Sequence, residues 1–280
     1  MDRIEKLRSS TIQHGPHSDR IYLMKLHDGD APAILDDLGA LARDCGYSKI
    51  FAKVPVRHLV HFEAHDYVTE ARVPDLFGAG DDGAFVSRFL TTDRSVLRDE
   101  EQHRHNLELA NEKQGAGMPP TTSPTPTIEP TGSDDAEEMC RVYAEVFPTY
   151  PFPIHDPEYI RRTMTENVAY SCIRHDGRIV ALASAEMDAA ALNVEMTDFA
   201  TLPEALGHGY ALFLLSHMEQ DMKRLGYRTA YTIARAQSAG MNITFAKLGY
   251  EYGGTLVNNT NISGQIESMN VWYKALVVPR

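Results

Sequence analysis

The sequence predicts an α+β fold of mixed helices and strands, in which a larger second half repeats the plan of a smaller first half. Three observations carry this expectation: a Pro/Thr-rich break near the middle, a helix–glycine–strand phrase on both sides of it, and a Gly-x-Gly just before a leucine-rich helix. The break is "EKQGAGMPPTTSPTPTIEP", residues 112–130, where Pro119, Pro120, Pro124, Pro126 and Pro130 stand among Thr, Ser and Gly. Such a composition packs neither as helix nor as strand and reads as a linker. The expected division is therefore a first domain at 1–111, a linker at 112–125 and a second domain at 126–280.

The first half opens its repeated phrase with "DRIYLMKL", a strand, followed by "APAILDDLGALARDCGYSKIFAKVP". There Leu35, Leu38, Leu41 and Cys45 form a helical stripe, Gly46 ends it, and "KIFAKV" is a strand. Asp30 is the expected N-cap, with Pro32 just inside the helix. A short helix and a Tyr-led strand follow in "FEAHDYVTEARV", and "GAFVSRFL" closes the unit. The charged run "LRDEEQHRHNLELAN" reads as a solvated helix.

The second half begins with a strand near 127–129 and a helix started by Ser133 or Asp134 through "AEEMCRVYAEVF". An aromatic, proline-rich loop, "PTYPFPIHDP", precedes a helix near 157–166. Strands at about 168–174 and 178–187 are joined by the turn His175-Asp176-Gly177, and "LNVEMTDFA" is the next strand. The phrase then recurs: Leu212, Leu215, Met218, Met222 and Leu225 give the stripe, Gly226 the stop, and an alternating strand follows. "FAKLGYEYGGTLV" and "SMNVWYKAL" match the closing pieces of the first half, so an internal duplication is the economical reading.

Composition excludes several function classes. The formal net charge of −12, from 27 Lys plus Arg against 39 Asp plus Glu, repels nucleic acid and favours a small cationic substrate. No apolar run reaches the ~18 residues that span a membrane, so no membrane partner is expected. The charged start "MDRIEKLRSS" has no secretory character, and Cys45, Cys140 and Cys172 show neither disulfide nor metal spacing. These features point to the cytoplasm. His58, His61 and His65 share one helix face in "RHLVHFEAH", but the pattern is not H-E-x-x-H and no metal is expected.

The chemistry concentrates at "FATLPEALGHGYALFLL", residues 199–215. Glycines before a helix admit a ligand close to the backbone, and the free N–H groups of the first turn attract anions. The third glycine of a dinucleotide fingerprint is replaced by Leu212, which argues against a Rossmann site. The first half has "HDGDAPA" at the matching place, where Asp28 and Asp30 would repel a pyrophosphate. Only the second half is expected to hold such a group.

The order strand, Pro, Gly-x-Gly-x-Ala, helix, Gly-Tyr, strand, helix, Gly-Tyr resembles the GNAT superfamily of acyl-CoA N-acyltransferases over about residues 126–276. "DRIYLMKL", "KIFAKVP", "GMNITFAKLGYEYGGTL" and "NNTNISGQIESMNVWYK" narrow the likeness to the β-lysine N-acetyltransferases. The resemblance implies a GNAT domain after a degenerate half-copy of itself, and transfer of acetyl from acetyl-CoA to the ε-amine of β-lysine. Two alternatives stay open: another amine acceptor such as a polyamine or aminoglycoside, or a non-catalytic acyl-CoA-binding module. The first half would wall the acceptor pocket, pair with the second sheet, or form a homodimer contact.

Site residues follow from this likeness. An alkylammonium with pKa near 10.4 must lose a proton before it attacks a thioester. Glu195 and Asp198 are the carboxylates offered; three apart in a regular strand they face opposite sides, and Glu195 is preferred. Phe199, Ala200 and Thr201 would pair with pantetheine, and the N–H of Phe199 or Ala200 would receive the developing oxyanion. Leu206, Gly207, His208, Gly209, Tyr210 and Ala211 would hold the pyrophosphate, and Ser238 would contact the cofactor. Phe245 stands where many members carry the tyrosine that protonates the thiolate, which leaves the general acid unassigned; Tyr250 and Tyr252 are nearby. Phe147, Tyr150 and Phe152, with Asn258 and Asn259, are candidates for the amino-acid end of the acceptor.

Overall fold

A computed structural model describes residues 2–118 and 125–277; residues 119–124 of the expected linker lie outside the described residues. The first half contains β1 (Arg3–Leu7), β2 (Ser10–Gly15), β3 (Arg20–Lys25), α1 (Ile34–Cys45), β4 (Lys49–Pro55), α2 (Leu59–Glu63), β5 (Val68–Val73) and β6 (Gly83–Phe89). Two helices, α3 (Thr92–Ser95) and α4 (Glu100–Glu112), bridge to the second half. That half contains β7 (Ile128–Pro130), α5 (Ala136–Val146), α6 (Pro157–Glu166), β8 (Val168–His175), β9 (Arg178–Asp188) and β10 (Asn193–Thr201). It continues with α7 (Tyr210–Arg224), β11 (Thr229–Arg235), α8 (Ala239–Lys247), β12 (Glu251–Ile262) and β13 (Gln265–Ala275).

The topology makes the duplication explicit. Strands run β1-β2-β3-β4-β6-β5 in the first half and β8-β9-β10-β11-β13-β12 in the second. In both, the third and fourth strands of the sequence pair parallel while the other neighbours pair antiparallel. Helix α1 is the counterpart of α7, and α2 of α8. The first half has no counterpart of α5, α6 or β7 among the described residues. Strands β1 and β2 carry no strong alternation and were not foreseen from the sequence; they complete the antiparallel start of the copy.

The two halves share one thirteen-stranded sheet, joined where β5 meets β12 at the pair Ala71 and Gly254. The approach is too close for any side chain. A Cβ on Gly254 would lie 2.1 Å from the Glu70 carbonyl oxygen, and its φ of 143° suits glycine alone. A buried polar seam reinforces the join. Lys49 donates to Glu70 (3.0 Å) and to the Val257 carbonyl (2.7 Å), while Glu70 accepts from the Val257 N–H (2.6 Å). Arg94 on α3 reaches the carbonyls of Asn258 and Ser18, each at 2.7 Å.

Local chemistry explains the helix ends. Gly46 caps α1 in the left-handed region at φ 71°, as its position after the stripe predicts. Asp30 does not cap that helix. Its carboxylate instead accepts from the Ser9 N–H (3.0 Å) and the Ser10 hydroxyl (2.6 Å), and a short 3₁₀ turn at Asp28–Asp30 precedes α1. Helix α4 is not fully solvated: His103, Asn106 and Ala110 are buried, and Asn106 donates to the Ala236 carbonyl at 3.0 Å. The segment after it is also held, since the N–H groups of Gly115 and Gly117 bond to the carbonyls of Ala246 and Lys247. Among the described residues, no helix is long and apolar enough to cross a membrane.

Candidate active site

Strands β10 and β11 pair in parallel only through Asn193, Val194 and Glu195 against Thr229, Ala230 and Tyr231, although β10 continues to Thr201 and β11 to Arg235. Beyond Glu195 they part. The gap is a cleft of about 350 Å³ whose walls include Phe199, Thr201, Gly207, Gly209, Ala211, Ser238 and Phe245. At its end, Gly207 and Gly209 hold φ of 84° and 72°, and a Cβ at either would meet nothing within 4 Å. Glycine is therefore required by backbone conformation, and the space above the loop is open. Gly209 sits at the N-terminus of the fifteen-residue α7, where the first bonds into the helix are from the N–H groups of Leu212 and Phe213 to the Gly209 carbonyl. The preceding N–H groups form the free, electropositive first turn of that helix.

A second, larger cavity of about 900 Å³ adjoins the first along β10 and is walled by both halves of the chain. From the first half come Arg20, Tyr22, Phe51, Lys53 and Phe77; from the second come Tyr150, Glu186, Glu195, Asp198, Tyr231 and Asn259. The two cavities share Tyr150, Thr197, Asp198, Ile233, Ile262 and Met269, so they meet beside Asp198.

Glu195 and Asp198 do not face opposite sides, as regular alternation would require. The register against β9 shifts between Thr197 and Ala200, and Asp198 adopts φ 53°. This bulge turns the strand by one position and aims both carboxyls into the same cavity. Their surroundings differ. Asp198 accepts from the Tyr150 hydroxyl and, at 2.6 Å, from the Ser184 hydroxyl. Burial raises its pKa above the usual carboxylate range even so, because those hydrogen bonds only partly offset the lost hydration.

Glu195 stands opposite Glu186 across the β10–β9 ladder. Burial, and then the Glu186 carboxylate, push its pKa up to about 7 against the opposing pull of Lys53 and the Tyr231 hydroxyl. Glu186 is raised too, first by its own burial. Lys53 on β4 donates to the Tyr231 hydroxyl at 2.8 Å and so carries a cation from the first half into this acidic wall. The arrangement is a pocket that draws in an ammonium group and contains a carboxyl able to take a proton near neutral pH.

Other expected residues separate by place. Leu206 and Tyr210 line the smaller cleft, and Tyr210 bonds to His175 at 2.7 Å. Ala200 is fully buried in its pairing with Leu182, and His208 turns Nδ1 toward the carbonyls of Ala205 and Leu206, so neither side chain lines a cavity. Ser238 caps α8, accepting from the Met241 N–H at 3.4 Å. Phe147 lines the smaller cleft, Tyr150 both cavities and Phe152 the larger one. Asn259 also faces the larger cavity. Asn258 does not; its amide donates to the carbonyls of Arg94 and Val96 at the seam between halves. Phe245 is buried edge-on to Phe199 and Tyr250, and the Tyr250 hydroxyl lies behind it, outside both cavities.

Lys53, Glu186, Tyr231 and Arg20 were not singled out from the sequence. The available signal was a cation in an apolar strand: Lys53 interrupts "KIFAKVP" and Arg20 starts "RIYLMK". A charge among buried neighbours needs a partner; Lys53 finds one across the cavity in Tyr231, while Arg20 meets the Asn259 carbonyl and the Thr260 hydroxyl.

Comparison with known proteins agrees with this geometry. Residues 136–250 match the Acetyltransferase (GNAT) family. A β-lysine N(6)-acetyltransferase from Methanococcus maripaludis is 41% identical over 276 residues, covering 98% of this chain and 99% of that protein. The N-acetyltransferase YodP of Bacillus subtilis is 29% identical over 277 residues, covering 96% of each. Among solved structures, the ribosomal-protein-S18-alanine N-acetyltransferase of Escherichia coli is 15% identical and covers 56% of this chain and 97% of its own, with a TM-score of 0.49. On the full-length likeness to the archaeal enzyme and the GNAT match within the second half, the chain belongs to the β-lysine N(6)-acetyltransferase family of GNAT acetyltransferases.

Proposed function

We propose that the chain transfers the acetyl group of acetyl-CoA to the ε-amine of β-lysine. The observation that carries the proposal is the meeting, beside Asp198, of a glycine-lipped cleft at a helix N-terminus and a cavity whose acidic lining includes Glu186, Glu195 and Asp198. Acetyl-CoA, when bound, supplies an acetyl thioester. The N–H groups at 207–211 fit its pyrophosphate, because they are free donors with no side chain above them. Phe199 and Thr201 lie along the cleft where the pantetheine arm would run.

Each acidic group has a distinct task in this reading. Glu195 receives the proton of the acceptor ammonium, directly or through water. Asp198 is the less suitable base, since both its oxygens already accept hydroxyl protons from Tyr150 and Ser184. It holds Tyr150 at the junction of the cavities, and burial beside that carboxylate keeps the Tyr150 phenol a weak acid. A thiol pKa near 8.5 lets the thiolate leave without a strong general acid in place of the tyrosine that Phe245 replaces. Glu186 adds negative charge that attracts the ammonium. Lys53 and Arg20 in the same cavity disfavour polyamines and aminoglycosides, which carry only cations.

Thiol release from acetyl-CoA, measured across β-lysine, α-lysine, putrescine, spermidine and an aminoglycoside, tests the proposal. β-Lysine should show the highest kcat/KM, with one acetyl on the terminal amine by mass spectrometry. A polyamine as the preferred acceptor, or no turnover with any of them, would overturn it. The cofactor loop has its own test. Gly209→Val forces a β-branched residue into the left-handed region and covers the loop, so acetyl-CoA affinity by calorimetry should fall sharply. Gly209→Ala, with less strain, should show a smaller loss in the same direction; unchanged affinity in both would remove the loop from the site.

A further inference from the structure

Arg20 is a charged group that takes no part in the proton transfers of the acetyl-transfer reading. It is 4% exposed, at the start of β3 in the first half, and lines the larger cavity. Its Nη1 donates to the Asn259 carbonyl (2.7 Å) and the Thr260 hydroxyl (3.1 Å), both neutral, and its Nε has no partner among the described residues. Two aromatic rings, Tyr22 and Phe51, lie 5.3 and 5.5 Å from the guanidinium. The chain's other buried cations are treated differently: Lys49 is paired with Glu70, and Arg94 lies 3.4 Å from Asp19.

A guanidinium buried among neutral partners is costly to hold charged, and burial lowers the Arg20 pKa to about 10. A cation kept there at such a cost, with a donor left unpartnered on a residue that lines a cavity, is suited to an anion that arrives from solution. Beside it, the Oδ1 of Asn259 is buried and unpartnered, an acceptor suited to an ammonium. The cavity is thus bipolar. Its acidic wall holds Glu186, Glu195 and Asp198, while Arg20 and Asn259 form a second polar locus contributed by both halves.

We propose that Arg20 and Asn259 bind the amino-acid end of the acceptor, Arg20 its carboxylate and Asn259 its second amine, so that the degenerate half selects amino-acid acceptors over plain amines. This deepens, and rests on, the acetyl-transfer reading of the same cavity. The reacting amine reaches the acidic wall only when the carboxylate is seated on the first half. A β-amino acid with a terminal amine satisfies both loci, and a diamine leaves the guanidinium desolvated and unpaired.

The test compares an acid with its amide on the full chain. Binding of β-lysine and of its carboxamide is measured by calorimetry, and kcat and KM are measured for both. The native chain should favour the acid by about 10- to 100-fold, the worth of a hydrogen bond to a charged group. Arg20→Gln should erase that preference by weakening the acid and sparing the amide, with the loss in KM and little change in kcat. Arg20→Lys should restore part of it. A thermal melt and acetyl-CoA affinity like those of the native chain establish that the variants fold; if they do not, the acid-over-amide ratio of the native chain decides alone. Binding of 6-aminohexanoate against 6-aminohexanamide separates this inference from the acetyl-transfer proposal. A native preference for that acid, without turnover of β-lysine, would keep the clamp and sink the proposed reaction. Equal binding of acid and amide, or equal loss of both in Arg20→Gln, would overturn the clamp.

Discussion

Replacing Glu195 by Gln is expected to lower turnover by about 10²–10⁴-fold, the usual contribution of a positioned general base. The amide keeps the size of the side chain and its place opposite Glu186 but accepts no proton. Because the Glu195 pKa is raised to about 7, the base is ionised above that pH and lost below it. In the native chain kcat/KM should therefore fall as pH drops through about 7. Glu195→Gln should lack this limb, and its deficit should shrink at high pH as free amine forms unaided. Lys53 supplies a diagnostic second variant. Its ammonium pulls the Glu195 pKa down, so Lys53→Met should move the acid limb to higher pH while leaving the base in place. Steady-state kinetics over the pH range read all three. If Asp198→Asn abolishes the limb and Glu195→Gln does not, the two carboxyls exchange roles.

Removing residues 1–112 is expected to abolish acceptor turnover. The cut strips Arg20, Tyr22, Phe51, Lys53 and Phe77 from the larger cavity and opens it to water. It also uncovers the β12 edge, where Gly254 meets Ala71, and the face of α8 that α4 covers. An unpaired edge beside the buried Leu256 and Val271 favours aggregation. The smaller cleft is built by residues 146–269 alone, so some acetyl-CoA affinity should remain in whatever fraction stays soluble. Since only the second half has the glycine loop, the intact chain should bind one acetyl-CoA. Calorimetry on the intact and shortened chains, with light scattering, checks these outcomes. Native activity in the shortened chain, or two equivalents bound to the intact one, would defeat the proposed division of labour.

Local and ordered features were legible in the sequence. The stripe Leu35–Leu38, with Gly46 after it, specified α1 because helical spacing and a left-handed stop act within one segment. The same is true of α6 at 157–166, which begins with Asp156 accepting from the Glu158 N–H and Pro157 at its first position. The glycine loop was legible for a related reason: φ of 84° and 72° just before α7 favour glycine, and two glycines in one short phrase stand out. The relation between the halves was legible as repeated phrases, though β1 and β2 were not, since short strands without strong alternation leave little pattern.

What the tertiary structure decided depends on distance and on exceptions to regular geometry. Alternation sent Glu195 and Asp198 to opposite faces; the bulge at Asp198 brought them together, and its φ of 53° at a non-glycine residue leaves no mark in the sequence. Asn258 and Asn259 look alike in "NNTN", yet one braces the seam and the other faces the cavity; the register against β13 shifts between Leu256 and Thr260, and Asn258 adopts φ 44°. Lys53 meets Tyr231 from 178 positions away only because β5 and β12 fuse two sheets into one. The sequence alone determined the repeated units, the glycine loop and the acidic strand. The joining of the copies determined the larger cavity, since its wall is made of side chains whose charge has meaning only beside partners from the other half.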